Sequence, residues 1–168
     1  MAYKSYFVTM LWALAISGAL LLSFPMAAHA GRATVCGDVD KGLIKNIYAA
    51  ARRVDYIVDV KGAMNSFCGY AQKLERWEKD LPREVRTKEY KRERRNIIKS
   101  AESDLKILKG HLITLKTWNA YDPHDTTDRV LRRSRMKKAK KRVLSSIMVM
   151  GQYAGQIQLL MNKYSIKK

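Results

Sequence analysis

Residues 98–115 read IKSAESDLKILKGHLITL. Ile98, Ala101, Leu105, Leu108, Leu112 and Leu115 recur there at alternating steps of three and four. That rhythm puts the apolar side chains on one stripe of an α-helix and leaves the charged and polar ones on the other faces. Heptad spacing of this kind seats side chains into neighbouring helices in coiled-coil fashion. The stretch therefore predicts an all-α protein whose central helix packs on long helical neighbours.

The same periodicity extends in both directions. Upstream, the line runs Leu43/Ile44, Ile47, Ala51, Val54, Ile57/Val58 and continues as Met64, Phe67/Cys68, Ala71, Leu74, Trp77, Leu81. Asp38 or Asp40 is placed to cap its start. Downstream of Asn119–Asp125 the line is Val143, Ile147, Met150, Ala154, Ile157, Met161, Tyr164, with Asp125 or Thr126 as cap. After residue 31 only Pro82 and Pro123 interrupt the chain, and no stretch alternates like a strand. The reading is an elongated antiparallel bundle of three long helices in a single domain, residues 31–168. Short links at Leu81-Pro82 and at 119–125 imply antiparallel neighbours.

Residues 1–30 read as a cleavable signal peptide. Lys4 is the positive start, Tyr6 to Phe24 are apolar, Pro25 breaks the helix, and Ala28-His29-Ala30 supplies small residues at a cleavage site. Export predicts periplasmic or secreted residence. It also makes a disulfide the default for Cys36 and Cys68. In one continuous helix these two residues would stand roughly 45 Å apart, whereas a disulfide needs Cα atoms within about 7 Å. The first helix is therefore predicted to break near Gly62, giving four segments, with residues 31–38 folding back as a strap.

The full chain carries 33 basic and 15 acidic residues, a net +18, and Lys4 is the one charge in residues 1–30, so the exported part is +17. Such a field attracts polyanions. Its densest part is RVLRRSRMKKAKKR, residues 129–142, where Arg129, Arg132, Arg133, Arg135, Lys137, Lys138, Lys140, Lys141 and Arg142 are joined by no acid. Like charges at i,i+4 repel along a helix, so the segment is predicted to be a partner-binding surface for an anionic macromolecule or an acidic protein. A second cluster, Arg83 to Arg95, is interleaved with Glu84, Glu89 and Glu93 and reads as an ion-paired helix face, Glu84 with Lys88 for example. In an antiparallel hairpin the two clusters fall at opposite ends.

Residues 143–162 carry no charge and include Gly151 and Gly155. Gln152, Gln156, Gln158 and Asn162 argue for a packed core helix rather than a span, with a peripheral membrane contact as the lesser mode. The aromatics do not interleave with the basic helix, which disfavours nucleic acid. Asp122, Asp125 and Asp128 fit turn and cap chemistry better than metal ligation. No catalytic, metal or cofactor motif is present, so the sequence reads as a non-enzymatic binding protein, of a chaperone or envelope and secretion accessory kind. A secreted effector or a cationic membrane- or nucleic-acid-binding protein is the alternative, and self-association into a homo-oligomer is left open.

Overall fold

A computed structural model describes residues 36–165, and the expected signal segment and residues 31–35 of the strap lie outside the described residues. Among the described residues the fold is all-α with four helices: α1 (Lys41–Ala51), α2 (Val60–Lys79), α3 (Lys88–Ala120) and α4 (Thr126–Ser165). Every residue of the stripe Ile98 to Leu115 that defined the class is buried. On α4 the predicted line is buried too, except Ile147, which is half-buried.

The first long helix is broken, but at residues 52–59 rather than at Gly62. Two aspartates explain the position. Asp55 Oδ1 accepts from the Val60 and Lys61 N–H groups, each at 3.2 Å, and Asp59 Oδ1 accepts from the Gly62 N–H at 2.7 Å. Free N–H groups at a helix start are commonly satisfied this way. Val54 and Val58 bury themselves in the core and hold the turn down. Gly62 lies inside the first turn of α2, where it makes room for the cap: a Cβ there would stand 2.2 Å from Asp59 Oδ2.

This gives a signed prediction. Gly→Ala inside a helix ordinarily stabilises by about 1 kcal/mol. Gly69→Ala, whose Cβ would meet nothing within 4 Å, is expected to do so. Gly62→Ala displaces the Asp59 carboxylate, loses a cap of about 0.5–2 kcal/mol, and is expected to be neutral or destabilising. Urea midpoints of the two variants check the contrast; equal gains would refute the account of the break.

The disulfide forms as expected, with Cys36 and Cys68 Cα atoms 4.3 Å apart. Gly37 of the strap faces α2 with φ +56, and a Cβ there would stand 3.0 Å from the Ala71 carbonyl oxygen. The left-handed conformation and the close approach both call for glycine. Asp38 then pairs with Arg94 of α3, and Asp40 caps α1 through the Gly42 and Leu43 N–H groups.

The helices run up, down, up, down. α3 and α4 form an antiparallel hairpin. The Tyr153 O–H donates to Asp104 at 2.8 Å, His111 Nδ1 meets Ser146 Oγ at 3.1 Å, and Lys163 pairs with Glu93 at 2.7 Å. α1 lies parallel to α3: the Asp40 N–H reaches Glu102 at 3.3 Å near one end, and the Tyr56 O–H reaches Asn119 at 2.7 Å near the other. α2 lies along α4 and returns antiparallel to α1, where the Tyr48 O–H donates to Asn65 at 2.6 Å. The link 80–87 thus crosses the bundle diagonally instead of joining flank-to-flank neighbours. α2 and α3 meet through long side chains at their shared end: Glu78 accepts from Tyr90 and Arg94, and Trp77 packs near the Tyr90 ring.

Candidate partner-binding surface

The cationic segment occupies the N-terminal half of α4. Its start is set by Asp125, whose Oδ1 accepts from the Asp128 N–H at 2.8 Å. Asp128 in turn accepts from the Tyr121 O–H at 3.0 Å and the His124 N–H at 3.4 Å. Asp125 and Asp128 are thus engaged in the turn and in the helix start. Burial of Ala139 and Val143 orients the segment, and eight of its nine cations are exposed; Arg132 is half-buried.

Two of the nine serve the fold. Arg132 crosses to the end of α3, where Nε and Nη2 donate to the Trp118 and Asn119 carbonyls at 3.2 and 2.9 Å. It closes orphan carbonyls at a helix C-terminus, where a cation is also favoured by the helix dipole. Arg86 does the same for α2, donating to the Leu81 carbonyl at 3.1 Å and to the Glu78 carbonyl. Arg135 sits over the Trp118 ring, 5.9 Å from its centroid, a cation–π arrangement.

The other seven, Arg129, Arg133, Lys137, Lys138, Lys140, Lys141 and Arg142, keep their charge uncompensated. Among the described residues no carboxylate stands within 4.0 Å of any of the nine. Arg135, Lys138 and Arg142 share a small cleft of about 80 Å³ with Thr114 and Trp118 of α3. Three cations around one recess without an acid form a locus for an anionic group.

The fold adds residues that local sequence does not point to. Because α1 runs parallel to α3, its end delivers exposed Arg52 and Arg53 beside Asn119, whose Nδ2 donates to the Arg53 carbonyl at 3.5 Å. They join the same end of the bundle as Arg129 to Arg135.

The second basic cluster lies at the other end, as the antiparallel hairpin requires, and two of its acids, Glu89 and Glu93, are in ion pairs. Their partners differ from the i,i+4 expectation. Glu84 lies before α3 begins at Lys88, so no helical register joins them. Instead Glu89 and Glu93 hold Lys163 of α4, and Glu78 and Asp38 hold Arg94. The Lys163 pKa is pushed up, chiefly by its hydrogen bond to Glu93. Burial works against the Arg94 charge, yet its bonds to Glu78 and Asp38 outweigh that and raise its pKa. The Tyr90 phenol is pushed up by burial first and by Glu78 second.

The charge-free stretch 143–162 is the core half of α4, with Val143, Ser146, Met150, Ala154, Ile157, Leu160 and Met161 buried. Among the described residues no helix is long and apolar enough to cross a membrane. Comparison with protein-family models, with curated proteins and with solved structures finds no match to this chain.

Proposed function

We propose that this is an exported, non-enzymatic binding protein that holds an anionic partner through the cationic end of its bundle, in a chaperone or envelope-accessory role. One observation carries the reading: seven cations of 129–142 stand without a carboxylate in reach, while Asp38, Asp55, Glu78, Glu89 and Glu93 are engaged in ion pairs elsewhere and Asp40, Asp59 and Asp125 in helix caps. A fold that leaves like charges crowded on one helix is less stable for it, so an external anion is the partner that relieves the cost. The disulfide is in keeping with an oxidising compartment, and the signal-like residues 1–30 supply the route.

The test is charge reversal of Lys137, Lys138, Lys140, Lys141 and Arg142 to glutamate, leaving Arg132 and Arg135 in their structural roles. Far-UV circular dichroism is expected to stay unchanged. Affinity for anionic polymers and vesicles, measured across a salt series, is expected to fall about a thousandfold or more, at roughly 1 kcal/mol per charge. The partners recovered by pull-down from the compartment where the protein resides are expected to be lost. An unchanged partner set and unchanged polyanion affinity would refute the proposal.

A further inference from the structure

Eight large apolar side chains are exposed among the described residues, and five of them belong to α4: Val130, Leu131, Leu144, Met148 and Leu159. Four of the five share one line. At about 100° per residue, Val130, Leu144, Met148 and Leu159 fall within roughly 60° of one another. They are 62%, 43%, 71% and 67% exposed. The core residues Ala139 and Ile157 lie on the opposite side of the same helix. The line is therefore the outermost ridge of the bundle. It runs about 44 Å from Val130 to Leu159 at 1.5 Å per residue.

Cations occupy the same ridge. Arg133, Lys137 and Lys141 fall in the gap between Val130 and Leu144, and all three are exposed without a paired carboxylate. From Arg129 to the last residue the chain contains no Asp or Glu. The carboxylates seen to reach α4 beyond Arg129 come from its partner helix α3. Asp104 accepts from Tyr153, and Glu89 and Glu93 hold Lys163.

We infer that this ridge is a peripheral docking line for an anionic phospholipid bilayer. The inference rests on the anionic-partner reading above and names its class. The chemistry is that of interfacial membrane contacts: apolar side chains enter the boundary of the acyl region while basic ones stay at the head groups. The shape fits as well. A flat surface touches a convex helix along its outermost ridge, and that ridge carries both the exposed apolar residues and the cations Arg133, Lys137 and Lys141. A second copy of the chain is disfavoured because it would bring another acid-free, cationic strip against the first. Gly151 and Gly155 add no side chain to this face; the apolar contact is made by Val130, Leu144, Met148 and Leu159.

The experiment uses the protein in the form that accumulates in its own cells, and sedimentation with vesicles of phosphatidylcholine alone or mixed with phosphatidylglycerol. Four proteins are compared: the unaltered chain, M148Q/L159Q, R133Q/K137Q/K141Q, and R135Q/K138Q/R142Q, which removes the same charge from the flank facing α3. Binding is expected only to the mixed vesicles. M148Q/L159Q is expected to weaken it roughly tenfold. The ridge triple is expected to weaken it about a hundredfold, at roughly 1 kcal/mol per cation, and more than the flank triple. If both triples lose the same amount and M148Q/L159Q loses nothing, the attraction is a diffuse charge effect and the docking line is overturned. Binding to a soluble polyanion or an acidic protein without binding to mixed vesicles overturns it too, and leaves the anionic-partner reading standing. Absence of all anionic binding removes both.

Discussion

Replacing Cys36 and Cys68 by alanine is expected to cost the fold about 3–4 kcal/mol and to lower the melting temperature by roughly 10–15 °C. The disulfide closes a loop with a sequence separation of 32, and the entropy removed from the unfolded chain grows with loop length. Native contacts add to this. Cys36 is fully buried, and Gly37 lies flush on Ala71, so the strap covers one side of α2. Among the described residues the rest of its hold includes buried Val39 and the half-exposed pair of Asp38 with Arg94. The latter is worth little in water. Without the covalent link the strap is expected to peel and wet the surface around Cys68 and Ala71. Thermal unfolding followed by circular dichroism, with the unaltered protein run in parallel under reductant, gives the number. A shift below about 2 °C would show that the strap is held by packing alone.

Phe67→Ala is expected to cost about 3–5 kcal/mol. Phe67 is the one phenylalanine beyond residue 30 and is fully buried in the core. Its removal takes away transfer free energy and leaves a cavity that the surrounding core side chains, held in helices, fill only in part. Because Phe67 adjoins Cys68, its loss is expected to be smaller in the variant lacking the disulfide than in the oxidised protein, where the strap holds the cavity open. Denaturant unfolding of the single and combined variants gives that coupling. Strict additivity would show that strap and cavity act independently.

The reading of the sequence reached the helical class because the information there is local. A step pattern of three and four in residues 98–115 needs no partner to be recognised, and each of its apolar positions is buried. The disulfide followed from the export signal, and the broken first helix from a distance argument that a chain of known geometry must then satisfy. The position of the break did not. Composition points to glycine as the weak point, whereas Asp55 and Asp59 claim the N–H groups that start α2, and a glycine three residues past a capping acid is the local sign of it. Helix pairing was harder still. Short links favour antiparallel neighbours, yet the link 80–87 runs diagonally because Arg86 folds it back over the end of α2, a contact that depends on the finished turn. The same holds for the cationic surface. Its nine residues are plain in the sequence, but that Arg132 caps α3 and that Arg52 and Arg53 join its end are consequences of how helices are laid side by side.

The Cys36–Cys68 link also determines how the molecule bears a pull. All of α1 and the break after it lie inside the closed loop. Tension applied to the N-terminal end passes from Cys36 through the two sulfurs into α2 and bypasses residues 37–67, which carry no load. α1 then bears no tension along its own backbone and keeps its place by packing, with Leu43, Ile44, Ile47 and Ala51 in the core, while the pull is handed to α2 and from there to α4, on which α2 packs.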